Sequence, residues 1–162
     1  MSILVLGIGN LIMSDDGIGV RVVQRLAATH RFPVGVTLVD GGTLGLDLLP
    51  KLEGVTRLLV VDAVETGGIP GTVVRFTGDQ IPMALETKVS PHQVGLKDLL
   101  AVAGLQGFAP EEMVLWGVQP EKLGLGLELS PAVAGELDRL AAHVVGELER
   151  WGAGPLHGTS TP

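Results

Sequence analysis

The sequence predicts an α/β fold: a mostly parallel sheet covered by helices on both faces. Two observations carry this. Short strand-like runs at residues 2–7, 36–39, 57–62 and 112–118 alternate with helical stretches, which is the order of βαβ units. The first run (Ser2-Ile-Leu-Val-Leu-Gly7) is apolar almost throughout rather than at every second position, as expected of a strand buried on both faces of a parallel sheet.

Composition sets the outer limits. At 162 residues the chain has the size of one ordinary domain, and 46% apolar residues suffice for a sizeable core. Aromatics are 3%, so that core is built of Leu, Val and Ala. The net charge of −7 and the lack of any basic run argue against a nucleic-acid partner. With no cysteine there is no disulfide, thiolate nucleophile or Cys-ligated metal, and any metal is held by carboxylates and imidazole. The N-terminus goes straight into a strand without a signal-peptide pattern. No apolar stretch reaches the roughly 18 residues of a membrane span. A cytoplasmic protein with no membrane partner is expected.

After the first strand comes Gly7-Ile8-Gly9-Asn10, and then a helix from about Asp15 to Thr29 with Ile18, Val22, Val23 and Leu26 as its apolar stripe and Ser14 as N-cap. Pro33 and Gly35 break the chain before the strand 36–39, which ends at Asp40-Gly41-Gly42-Thr43. A short helix spans about Leu44 to Leu52, and the third strand, 57–62, ends at Asp62. A Gly/Pro loop over 63–71 leads to a short β-branched strand at 72–76 and then to a polar loop without clear period. Ser90-Pro91-His92-Gln93 is a helix start, with Ser90 as N-cap, Pro91 at the first position and Gln93 completing a capping box; the helix runs to about Ala103. The last strand covers 112–118. Ser130-Pro131 opens the last helix, where Val133, Leu137, Leu140, Val144, Leu148 and Trp151 recur at steps of three and four. Residues 1–151 are read as a single domain, and 152–162, rich in Gly, Pro, Ser and Thr, as a disordered tail.

Open parallel sheets bind ligands outside the carboxyl ends of their strands. The first strand leads to Asp15-Asp16, the second ends at Asp40 and the third at Asp62, so acids from separate strands collect on one edge, within reach of His92 in the first turn of its helix. Singly, each acid has an ordinary explanation: helix-start charge for Asp15 and Asp16, turn chemistry for Asp40, loop hydrogen bonding for Asp62. Together they are less ordinary, because carboxylates held close repel one another unless something positive stands among them. Two carboxylates and one imidazole suit a divalent first-row metal, and Asp16, Asp62 and His92 are the preferred ligands. Asp15 is the weaker candidate, since adjacent residues of a helix point in different directions.

Other chemistries fit poorly. A dinucleotide loop needs a third glycine where Ile12 stands, no phosphate-loop Gly-Lys-Ser/Thr occurs, and an acidic helix start repels phosphate. There is no Gly-x-Ser-x-Gly elbow for a serine hydrolase. His30 ends a helix, His143 lies within the last one and His157 is in the tail.

The set of motifs resembles the hydrogenase maturation endopeptidases, which remove a C-terminal extension from the large subunit of nickel–iron hydrogenases after nickel insertion. The matching residues are Gly7-x-Gly9-Asn10, Asp15-Asp16-Gly17-x-Gly19, Asp40-Gly41-Gly42-Thr43, Val61-Asp62-Ala63, His92-Gln93-Val94-Gly95-Leu96, Gly117-Val118-Gln119-Pro120 and Leu129-Ser130-Pro131-Ala132-Val133. They occur in the family's order over nearly the whole domain. The resemblance implies that Asp16, Asp62 and His92 bind nickel and carry the reaction, and that Asp40, in its turn with Gly41, Gly42 and Thr43, helps recognise the nickel-loaded precursor. The nickel is expected to be the substrate's, held weakly or not at all by the free, monomeric enzyme. The resemblance also implies a three-layer α/β/α fold with a five-stranded sheet of order 2-1-3-5-4, the fourth strand antiparallel. Two other readings stand beside it: a nickel carrier or sensor that uses the same three ligands without peptidase activity, and a peptidyl-tRNA hydrolase-like enzyme, whose early strand and Gly-x-Gly-Asn turn are similar but whose polyphosphate substrate would meet Asp15-Asp16.

Overall fold

The computed structural model describes residues 1–43, 45–86 and 91–157, and for 86 and 91–95 the backbone alone. Strands β1 (Ile3–Ile8), β2 (Val36–Gly42), β3 (Arg57–Ala63), β4 (Val73–Thr77) and β5 (Glu112–Val118) form one sheet of order β2-β1-β3-β5-β4. β1, β2, β3 and β5 are parallel, while β4 runs antiparallel to β5. The direction of β4 follows from its connection. The loop after β3 holds no helix to carry the chain back across the sheet, so the next strand must run the opposite way. The order and the reversed fourth strand are those the resemblance implies.

β1 is buried at every position, and β3 at every position after Arg57, because both lie inside the sheet with helices over both faces. β2 and β4, at the edges, are only partly buried. Alternate residues of β3 feed two cores. Leu59 and Val61 face α1 (Ile18–Thr29) and α6 (Leu137–Arg150), packing among Val22, Leu26, Leu140, Val144 and Leu148. Leu58 and Val60 face α2 (Leu49–Leu52), α3 (Gln80–Glu86) and α4 (Pro91–Leu105), packing among Leu52, Ile81, Leu96 and Leu99. Each such leucine, removed from water, contributes about 1.5–3 kcal/mol.

Glycine at position 19 sets how closely α1 lies on the sheet. A Cβ there would stand 2.0 Å from the Val61 carbonyl oxygen and 2.6 Å from that of Ile8. With hydrogen in its place, the helix start rests directly on the backbones of β1 and β3.

The elements differ from the expectations in five places. The helix expected from Asp15 begins as a 3₁₀ turn over Ser14–Gly17, and α1 proper starts at Ile18. Ser14 caps neither. Its φ is 54°, and its hydroxyl donates to the Gly124 carbonyl at 2.8 Å instead. The polar stretch after β4 contains α3, closed down on the core by Ile81, Ala84 and Leu85. The last helix is broken: α5 (Pro131–Ala134), with Ser130 as its side-chain cap, is separated from α6 by Gly135 and Glu136. Finally, residues 152–157, expected to be disordered, pack on the domain. Ala153 is buried, its N–H meets the Leu148 carbonyl at 2.8 Å, and Leu156 N–H meets that of Arg31 at 2.7 Å. α4 begins at Pro91 as expected; Ser90, expected as its cap, lies outside the described residues, as does the Gln93 side chain. Among the described residues no helix is long and apolar enough to cross a membrane.

Candidate active site

The carboxyl ends of the parallel strands do meet on one edge. Gly7 of β1 pairs with Asp40 on one side and Val61 on the other, so Asp40 and Asp62 flank the end of β1, one residue out of register. The chain leaving β1 turns over this edge and delivers Asp15 and Asp16 on the 3₁₀ turn, which packs against β3.

Asp16 and Asp62 are both buried, at 2% and 0% exposure. Asn10 N–H donates to Asp16 Oδ2 at 3.1 Å, closing the loop between β1 and the turn. Gly9 makes that closure possible. Its φ is +140°, and a Cβ there would lie 1.9 Å from the Asp16 carbonyl oxygen. Asp62 Oδ1 accepts the Ala63 N–H at 2.8 Å. The alternation along β3 directs Asp62 to the face of Leu58 and Val60, the face covered by α4.

His92 lies in the first turn of α4. This helix ends at Leu105, shortly before β5, whose Glu112 pairs with Arg57 at the amino edge of the sheet. Its first turn therefore starts at the carboxyl edge, on the face toward which Asp62 is directed. The His92 side chain lies outside the described residues.

Asp40 is exposed, as is Thr43, whereas Gly41 is buried against Leu6, Ile8 and Leu48. Gly42, at φ 49°, turns the chain, and its carbonyl accepts the Gly9 N–H at 2.9 Å, tying the end of β2 to the loop after β1. Asp40 thus shares the edge with Asp16 and Asp62 but presents its carboxylate to the outside.

Asp15 behaves unlike its neighbour. It is fully buried, and its carboxylate accepts the N–H groups of Glu121 and Lys122 at 2.9 Å each, the N–H of Ser130 at 2.7 Å and the Ser130 hydroxyl at 2.8 Å. Burial alone would raise its pKa; the hydrogen bonds from Lys122, Ser130 and Glu121 outweigh that and hold it below the ordinary 3.8. The sequence makes Asp15 the weaker ligand candidate and gives no sign of this structural task. A second residue whose role it does not announce is Gln119. Its side-chain oxygen accepts Thr66 N–H at 2.7 Å and Thr66 Oγ1–H at 2.9 Å, and its Nε2 donates to Glu65 at 2.8 Å. Gln119 thereby fastens the loop that follows Asp62.

This geometry has relatives. A family model described as HycI, hydrogenase maturation protease, matches residues 20–147. The hydrogenase expression/formation protein HupD of Rhodobacter capsulatus is 49% identical over 93% of this chain and 72% of its own length. The hydrogenase 2 maturation protease of Escherichia coli K12 is 36% identical over 94% of this chain and 93% of its own. Among solved structures, the hydrogenase maturating endopeptidase HybD of E. coli superposes with a TM-score of 0.94 at 33% identity, covering 99% of this chain and 100% of that one. The HybD protease from Thermococcus kodakarensis gives 0.75 at 29% identity, over 91% and 99%. The family model over most of the chain and these likenesses establish that the chain belongs to the hydrogenase maturation protease family.

Proposed function

We propose that this protease removes the C-terminal extension of a nickel–iron hydrogenase large-subunit precursor once nickel has been inserted, and that it recognises the precursor by that nickel. One observation carries the reading: two acids from different segments, Asp16 and Asp62, are buried at one sheet edge, where the helix bearing His92 begins. Ionised carboxylates are costly to bury, and a site that concentrates them is suited to a cation. Two carboxylate oxygens and an imidazole nitrogen form a mixed donor set appropriate to a divalent first-row metal with positions left open for the ligands it already has.

In this reading Asp16, Asp62 and His92 complete the coordination of the precursor's nickel and so dock the scissile bond beside the edge. The metal supplies a template and Lewis acidity. Asp40, exposed on its Gly41-Gly42-Thr43 turn, contacts the precursor from the other side of β1. The chain has no cysteine to serve as nucleophile. The enzyme works in the cytoplasm as a monomer and needs no nucleic acid.

The test is a cleavage assay on the cognate precursor, loaded with nickel or nickel-free, followed by mass. Loss of a C-terminal peptide from the loaded form alone is the expected result. No loss from a precursor verified as loaded would refute the processing activity; equal loss from both forms would refute nickel as the recognised feature. Asp62→Ala and His92→Ala are expected to abolish processing while retaining the wild-type circular dichroism spectrum. Normal processing by either would remove that residue from the site.

A further inference from the structure

We propose that Asp15 is a positioning residue for the reaction: its carboxylate clamps the segment 121–130 onto the turn that carries Asp16, and so sets the aim of Asp16 and the shape of the wall beside it. The inference rests on the processing activity proposed above.

The segment 121–130 contains no helix, and it is tied to the turn by several hydrogen bonds. Gly126 N–H donates to the Ile12 carbonyl and its own carbonyl accepts the Ser14 N–H, each at 2.9 Å, forming an isolated bridge between Met13 and Gly126. Asp15 N–H donates to the Lys122 carbonyl at 3.0 Å, while the Asp15 side chain holds both ends of the segment, Glu121 and Lys122 at one and Ser130 at the other. One carboxylate therefore closes a loop of the chain that carries Leu125 and Leu127 outward, both exposed. A neutral group could not do this equally. An ionised carboxylate only accepts, and every group that meets the Asp15 carboxylate here donates.

The consequence for Asp16 is direct. The two residues are consecutive in a single 3₁₀ turn, so a shift of the Asp15 backbone on loss of the clamp carries Asp16 with it. Asp16 has little freedom to compensate, because its carbonyl lies against Gly9 and its carboxylate receives the Asn10 N–H. Small misplacements of groups that bind the reacting centre have large kinetic effects.

Asp15→Asn tests this with almost no change of shape. The amide turns an NH₂ toward groups that donate, which opens the clamp. Two readouts are taken on the full chain. In hydrogen exchange, the amides of Glu121, Lys122 and Ser130 are expected to exchange about tenfold faster, with β1 and β3 unchanged. In cleavage of the loaded precursor, kcat per folded molecule is expected to fall about tenfold or more. A purely structural role would lower the melting temperature and leave kcat per folded molecule intact. Ser130→Ala, which removes one donor and keeps the backbone ones, is expected to lower kcat about threefold and to speed exchange at Glu121 and Lys122. If Asp15→Asn does not fold, Ser130→Ala decides, and wild-type exchange and kcat in that variant would overturn the proposal. So would an Asp15→Asn enzyme with wild-type kcat, or one with unchanged exchange at the three amides. Failure of the wild-type enzyme to cleave a verified loaded precursor would refute the processing activity, and the catalytic part of the proposal with it; exchange would still decide whether the clamp exists.

Discussion

Glycine-to-alanine exchange at two helical positions should move stability in opposite directions. At Gly19, in the first turn of α1, the new methyl would lie 2.0 Å from the Val61 carbonyl oxygen, 2.6 Å from that of Ile8 and 2.8 Å from the Val61 carbonyl carbon. Real contacts of this kind begin near 3.0 Å, so the helix start must lift by about 1 Å. The obstacles are backbone atoms of interior strands, which cannot turn aside as a side chain can. Overpacking of this kind costs about 1–3 kcal/mol or more, and the better helix propensity of alanine returns at most about 1 kcal/mol. At Gly146, inside α6, an added methyl meets nothing within 4 Å, and only the propensity gain applies. For a domain of this size 1 kcal/mol moves the melting temperature by about 2–4 °C. Gly19→Ala is therefore expected to melt about 4–8 °C below wild type on a net loss near 2 kcal/mol, and Gly146→Ala up to about 4 °C above it, by calorimetry at one pH. Gly19→Ala should also process precursor more slowly than its folded fraction explains, since Val61 precedes Asp62. A Gly19→Ala protein as stable as wild type would refute the close docking of α1.

Three further outcomes follow from the packing. Glu147, buried on α6, is paired with Arg75 at 2.5 Å and Arg150 at 3.1 Å. Glu147→Leu should destabilise by about 1–3 kcal/mol in denaturant melts, less than a fully buried pair would because Arg75 keeps some solvent, and Arg75→Leu added to it should recover part of the loss; additive losses would mean the pair is not coupled. Ending the chain at Trp151 removes buried Ala153 and the Leu156–Arg31 hydrogen bond, so the melting temperature should fall by several degrees, corresponding to about 1–3 kcal/mol; an unchanged value would mean the packed segment contributes nothing. Because the folded pKa of Asp15 lies below 3.8, the unfolded chain binds its proton first. Its contribution is complete above about pH 3.8 and is lost as pH falls through the folded value, so Asp15→Asn should flatten the rise of stability with pH in that window. An unchanged acid slope would contradict the clamp.

The sheet was legible because its strands are locally explicit. Continuous apolar runs such as Leu4-Val5-Leu6 belong to strands with two covered faces, and the acids near the ends of β2 and β3 mark the carboxyl edge. Strand order was not written in periodicity; it came through the resemblance. What stayed hidden depends on distant partners. Nothing near Asp15 announces a carboxylate whose donors lie 106 to 115 residues further on. Ser14 has the residue type of a cap, yet its positive φ and its bond to Gly124 are set by that same remote segment. α3 is masked by Gly78-Asp79 before it and Pro82 within its first turn, although Ile81, Ala84 and Leu85 carry helical spacing. The residues after Trp151 read as tail because composition weighs a segment alone, whereas Ala153 and Pro155 are buried by a surface already built.

The pair Asp15-Asp16 shows how one short turn can hold two acids to different tasks. Had the helix begun at Asp15, both carboxylates would lie in its first turn, where a helix start favours negative charge and asks nothing more specific. The 3₁₀ turn buries them both. The segment after β5 then takes Asp15 into a cage of donors, while Asp16 is fixed by Asn10 at the edge it shares with Asp62. Two single exchanges, Asp15→Asn with Asp16 retained and Asp16→Asn with Asp15 retained, separate the two. The first should loosen 121–130 and slow cleavage. The second should leave exchange in 121–130 at wild-type rates and abolish cleavage, because it changes an oxygen of the proposed nickel-binding set and leaves the clamp closed. If both variants loosened the segment equally, the division of labour between the neighbouring acids would be wrong.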